Sequence, residues 1–186
     1  MNRLLLAIII FVASSVAIEV NAQSAQVSGI VLQENDGHIL LRTNDNRRFP
    51  LRAATEEAAA ALNKLHARDY LFGTGEFTDH GEVLLTTVDY VGLQGLVGRW
   101  KDQSGAILDF SNFKKVQIRA ATSSQQIAFN YSISPADADG WKVFFSNNSV
   151  ASLANLTLRE RKAQLQFFDS NTGQPNAKIQ MNKLDP

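Results

Sequence analysis

The feature that most constrains this chain is a two-residue alternation of apolar and polar side chains. In "IAFNYSI", Ile127, Phe129, Tyr131 and Ile133 share one face while Ala128, Asn130 and Ser132 share the other, the period of a strand with one side in a core. After Trp100 the pattern recurs in Ile107 to Phe110, Phe113 to Ala120, Trp141 to Phe145, Leu153 to Arg159, Ala163 to Phe168 and Ala177 to Leu184. Turn-forming stretches such as "SPADADG" and "DSNTGQP" separate them. Evenly spaced strands without a helix predict an antiparallel meander closed into a barrel, or a compact sandwich.

The first half has a different order. Val27 to Gln33, His38 to Thr43 and a segment carrying Phe49 and Leu51 read as three strands, with turns at Asp36-Gly37 and at 44 to 46. "TEEAAAALNKLHARD" then reads as a helix capped by Thr55, with Glu56 and Glu57 at its positive end and Ala58, Ala61, Leu62 and Leu65 as its buried stripe. Tyr70 to Phe77 and Val83 to Val91 complete the set, joined at Asp79-His80-Gly81. A lone helix after the third strand fits a small Greek-key barrel better than a parallel α/β unit.

The fold class expected is therefore mainly β, a five-stranded barrel with one helix followed by a small antiparallel barrel. Charge places the boundary between them. Residues 23–95 hold six Lys and Arg against ten Asp and Glu, a balance of −4, whereas 96–186 hold eleven against seven, a balance of +4. The change falls at "GLQG", so the division predicted is 23–95 and 96–186.

Ahead of these lies a candidate secretory signal, residues 1–22. Arg3 precedes an apolar run from Leu4 to Ile18, and Val20-Asn21-Ala22 fits a cleavage site. Cleavage would leave 164 of the 186 residues. The expected location is periplasmic or secreted, with no transmembrane segment after cleavage. Cysteine is absent, so thiol catalysis and thiolate metal sites are excluded and the fold relies on burial alone.

Two resemblances follow from quoted residues. "VSGIVLQENDGHILLRTNDNRRFPLRAA", the Ala-rich helix and "YLFGTGEF" make roughly residues 26–92 resemble the OB-fold, especially small bacterial periplasmic OB-fold proteins, with Gly29, Gly73 and Gly75 where strands must bend. "LVGRW" at 96–100, "ILDF" at 107–110 and "LQFFD" at 165–169 make residues 96–184 resemble lipocalin-like domains. That resemblance implies that Trp100 lies on the first strand and covers one end of a barrel.

Candidate site residues form two groups. Arg42, Arg47, Arg48 and Arg52 cluster around Phe49, a combination that could meet a peptide, a glycan or an anionic polymer. In the second half Trp100, Phe129 and Tyr131 could line a barrel interior, where Phe110, Phe145 and Phe167 also point. Large inward side chains favour a filled lumen over a ligand cavity. Nucleic acid is not expected, since the first half is net acidic. "FKKVQIR" and "LRERKAQ" concentrate Lys114, Lys115, Arg119, Arg159, Arg161 and Lys162, a patch suited to anionic head groups or an acidic partner.

No catalytic constellation is present. His38, His66 and His80 lack metal-ligand spacing, Asp137 to Gly140 reads as a turn rather than a calcium loop, and no nucleophile elbow or phosphate loop occurs. Asn130, Asn147 and Asn155 are formal glycan acceptors. The expectation is a non-enzymatic binding or adaptor protein of the cell envelope, without a cofactor or metal, whose partner is an envelope protein or glycan. The alternative is a carrier of a small apolar ligand or lipid in the second barrel.

Overall fold

The computed structural model describes residues 24–34, 37–136 and 140–185. The candidate signal at 1–22, Asp36 of the first turn and Asp137 to Asp139 lie outside the described residues. The chain is mainly β and builds two closed barrels in sequence.

The first barrel comprises β1 (Ala25–Gln33), β2 (Ile39–Arg42), β3 (Arg48–Ala53), β4 (Tyr70–Phe77) and β5 (Val83–Gly92), with α1 (Glu56–Leu62) between β3 and β4. Its strand order is β1-β2-β3-β5-β4, and only the β3–β5 pairing is parallel. This is the five-stranded, OB-like arrangement expected from element order. Val27, Val31, Leu41, Leu51, Leu71, Val83, Leu85 and Val91 fill the interior, and Ala58, Ala61 and Leu62 bury the helix stripe. The helix ends at Leu62, short of the expected 55–69 segment, and Leu65 is buried just beyond it. The Ala58 N–H donates to Thr55 Oγ1 at 3.1 Å, a cap worth about 1 kcal/mol. Strands this tightly coiled bring backbones together. A Cβ at Gly29 would stand 2.3 Å from the Arg42 carbonyl oxygen, and one at Gly73 would stand 2.1 Å from that of Thr87.

The second barrel is an eight-stranded antiparallel meander. It runs β6 (Gly98–Asp102), β7 (Ile107–Phe110), β8 (Lys115–Arg119), β9 (Gln126–Pro135), β10 (Trp141–Ser146), β11 (Ala151–Arg159), β12 (Lys162–Phe168) and β13 (Pro175–Lys183). Pairing of β13 with β6 closes it, which decides for a barrel over a sandwich. Trp100, Phe110, Ile133, Trp141, Val143, Phe145, Leu156, Leu165 and Met181 are buried in its lumen. Phe129 and Phe167 are half-buried against this core. Ile127 shares their face by register, yet is 51% exposed, because it opens β9 at the rim remote from the first barrel.

The connector between the barrels is anchored rather than loose. Leu93 and Leu96 are buried, and Leu96 N–H closes a turn onto the Leu93 carbonyl at 3.0 Å. The carboxylate of Asp69, itself buried, accepts from His66 N–H at 2.8 Å and from Gln94 N–H at 2.6 Å. Lys183 Nζ donates to the Gly95 carbonyl at 2.6 Å.

Candidate functional site

Register decides which of the arginines can act together. Opposed residues in paired strands share a face, so Leu41 and Phe49 point inward while Arg42 and Arg48, directly opposed across β2 and β3, point outward. Arg52 shares that outward face of β3, beyond Pro50. Phe49 instead packs edge-on against Phe77, with ring centroids 5.1 Å apart at 75°. It is therefore no platform beside Arg48 and Arg52. Arg47 sits at the turn, its Nε 2.6 Å from Asp45 Oδ2 and its guanidinium 5.3 Å from the Phe49 ring centroid. Hydrogen bonds from Thr43 first, then from Arg47, hold the Asp45 carboxyl below its ordinary value. Arg52 is paired with Glu82 at 3.2 Å.

The aromatic groups on this outer face come from elsewhere. Tyr70 lies opposite Ile30 across β4 and β1, and Ile30 lies opposite Arg42 across β1 and β2. One row thus runs Tyr70, Ile30, Arg42, Arg48 across four strands, roughly 15 Å at normal strand spacing. Beside it, Phe72 of β4 faces Tyr90 of β5. Tyr70 meets Tyr90 at 5.9 Å and 62°, and Phe113 from the loop between β7 and β8 at 6.2 Å and 20°. Gly92 makes the last contact possible, since a Cβ there would lie 2.5 Å from Phe113 Cβ.

The docked barrels enclose a cleft of about 380 Å³ against this aromatic wall. Tyr70, Phe72 and Tyr90 form one side, and Lys114, Asn130 and Ser132 border the other. The Tyr90 hydroxyl is buried and has no hydrogen-bond partner. Burial raises its pKa above the ordinary value of 10.0. An aromatic wall, an amide and an exposed ammonium suit a ring with polar substituents.

The candidates of the second half lie deeper. Trp100 is fully buried, its Nε1 donating to the Leu96 carbonyl at 2.7 Å, and Lys183 Nζ stands 5.4 Å from its ring centroid. It closes the barrel end that meets the first barrel. Phe129 lines the lumen. Tyr131 is buried, packs edge-on to Phe110 at 5.3 Å and donates its hydroxyl to the Asn112 carbonyl at 2.7 Å, while its edge reaches the cleft. Arg42 is thus joined to an aromatic surface by register, Tyr131 borders that surface, and Arg47, Phe49, Arg52, Trp100 and Phe129 serve local packing or pairing.

Tyr70, Phe72, Tyr90 and Lys114 were missed as a group by sequence reasoning. Alternation in "YLFGTGEF" does set Tyr70 and Phe72 on one side and Leu71 and Gly73 on the other. Nothing in the linear order indicates that another barrel covers that side. Compared with known proteins, the chain matches no family, no curated sequence and no solved structure.

Proposed function

We propose that this chain is an exported, non-enzymatic binding protein of the cell envelope, periplasmic or secreted, that holds a glycan in the cleft between its two barrels. The observation that carries this reading is the aromatic cleft itself, with Tyr70, Phe72 and Tyr90 on one side and Lys114 and Asn130 on the other. A sugar ring would lay its apolar face on Tyr70 or Phe72 and exchange hydrogen bonds with Lys114 and Asn130. Acidic substituents would meet Lys114, or Arg42 and Arg48 along the same row. Export is supported by the leader-like residues 1–22. Among the described residues, no helix is long and apolar enough to cross a membrane. The packed lumen of the second barrel weighs against the apolar-ligand carrier, because Trp100, Phe110, Tyr131 and Phe145 occupy the space such a ligand would need.

Titration of the whole chain with a panel of neutral and acidic hexasaccharides, followed by calorimetry, tests the reading. Tyr70→Ala or Phe72→Ala should weaken the best binder at least tenfold, about 1.4 kcal/mol, with thermal unfolding confirming that each variant is folded. A panel without a binder, or binding unaffected by both variants, would sink it.

A further inference from the structure

The second barrel carries a separate face whose chemistry points outward. On β11, β12, β13 and β6 the inward positions are mostly apolar, with Ser152, Asp102 and Lys183 at strand ends, and three cross-strand rows of outward positions are polar. Asn155, Gln166 and Lys178 form the first, and Thr157, Gln164 and Gln180 the second. The third is Arg159, Lys162, Asn182 and Lys101. Gln103, just after β6, donates to Gln180 Oε1 at 2.8 Å and extends the second row. These rows hold four cations and no carboxylate. Nearby acids lie at the margins: Glu160 is in the hairpin turn, Asp185 pairs with Arg161 at 2.5 Å, Asp169 caps its own turn, and Asp102, between Lys101 and Gln103, accepts from Ser104 and the Ala106 N–H in the turn after β6. A depression of about 490 Å³ lies over this face, bordered by Gln103, Arg159, Lys162, Gln164, Gln180 and Asn182.

Arg159 and Lys162 are directly opposed across β11 and β12, and like charges placed opposite one another destabilise a sheet. A bound polyanion relieves that repulsion. We infer that this face binds the chain of an acidic polysaccharide, as a second site independent of the cleft. The cations meet carboxylate, phosphate or sulfate groups, and the side-chain amides between them exchange hydrogen bonds with hydroxyls. The three rows lack the aromatic platforms on which single-stranded nucleic acid stacks and carry no apolar anchor for a bilayer interface; the exposed Leu153 and Phe144 lie one row beyond them, on β11 and β10. The net +4 balance of residues 96–186 draws the same class of partner. Two sites on one chain let a single polymer engage both, so that avidity exceeds either affinity.

The side-chain amide resonances of the whole chain report each site by itself. Adding polygalacturonate should shift the NH₂ signals of Gln103, Gln164, Gln180 and Asn182, while a neutral maltodextrin of equal length should not. Lys162→Glu with Lys101→Glu should weaken these shifts at least tenfold and flatten their dependence on salt. Lys162→Glu also places a carboxylate opposite Arg159, so this variant should melt no lower than the parent and loss of binding cannot be ascribed to unfolding. Shifts confined to Asn130 would assign the glycan to the cleft alone and overturn the second site. So would shifts produced by single-stranded DNA or anionic phospholipid vesicles but not by polygalacturonate. Shifts at the four amides without any at Asn130 would uphold the second site and count against the cleft.

Discussion

Trp100 concentrates several dependencies in one side chain. Its ring is fully buried, its indole N–H is satisfied by the Leu96 carbonyl, and Lys183 lies over its face while holding the Gly95 carbonyl. Trp100→Ala should therefore cost about 3–5 kcal/mol in denaturant unfolding, as a large cavity replaces the ring. With Trp141→Phe isolating the signal, Trp100 fluorescence should be blue-shifted and shielded from iodide. Asp69 is the second such residue. Asp69→Ala strands the His66 and Gln94 N–H groups, and should cost about 2–4 kcal/mol together with faster amide exchange at Gln94. Burial raises the Asp69 carboxyl above its ordinary value of 3.8 against the pull of those two N–H groups. A raised pKa means the folded state holds the proton more tightly. The proton-linked part of the Asp69 contribution is therefore full below pH 3.8 and is lost as pH rises through the folded value, whereas its acceptance of the two N–H groups persists above it. Melting temperatures across that window should show this component in the parent and not in Asp69→Ala. Tyr90 offers the opposite case: Tyr90→Phe removes a buried hydroxyl that bonds nothing, so stability in denaturant unfolding should be unchanged or rise by up to about 1 kcal/mol.

At the scale of elements, the first barrel depends on backbones that touch. Gly73 lies where β4 bulges against β5, with register shifts on either side of the Gly73–Thr74 pair. The missing Cβ lets the Thr87 carbonyl approach within 2.1 Å of where it would stand. Gly73→Ala must push β5 away and should destabilise the barrel by about 1–3 kcal/mol or more, with loss of amide protection concentrated in β4 and β5. The second barrel is tolerant outside and strict inside. Outward positions of β11 to β13 carry mostly polar and charged groups, with Leu153 an exposed apolar exception, whereas Leu156 and Leu165 face one another in the lumen.

For the whole molecule, the junction sets both mechanics and the site. Phe113 rests on Gly92, Lys64 Nζ lies 5.8 Å from the Trp141 ring centroid, and the connector is tied by Asp69 and Lys183. Gly92→Ala would drive a methyl group into Phe113. It should loosen docking, expose the 92–98 connector to limited proteolysis that the parent resists, and weaken glycan binding by displacing the cleft wall formed from β4 and β5. Calorimetry should resolve one unfolding transition in the parent and two in this variant, if the divided halves 23–95 and 96–186 each fold by themselves.

The linear sequence determined the elements. Two-residue alternation, Gly- and Asn-rich turns and a capped Ala-rich segment placed every strand within about three residues at each end. They also located the helix start and Ala58, Ala61 and Leu62 of its stripe, because each of these is written in neighbouring side chains, while the helix stops at Leu62, before Leu65. Alternation also separated Tyr70 and Phe72 from Leu71 and Gly73. What it could not supply is which outward faces are later covered or aligned. Arg42 meets Tyr70 only because β1 pairs with both β2 and β4, and Arg159 meets Lys162, Asn182 and Lys101 only because β13 closes onto β6. Phe49, grouped with the arginines by proximity in the chain, turned inward by the same pleat that turned Arg48 out. Such neighbours are set by pairing between distant segments and by the docking of one barrel on another. The physical reason is that register and closure minimise exposed apolar surface and unpaired backbone over the whole chain, and no local window contains those terms.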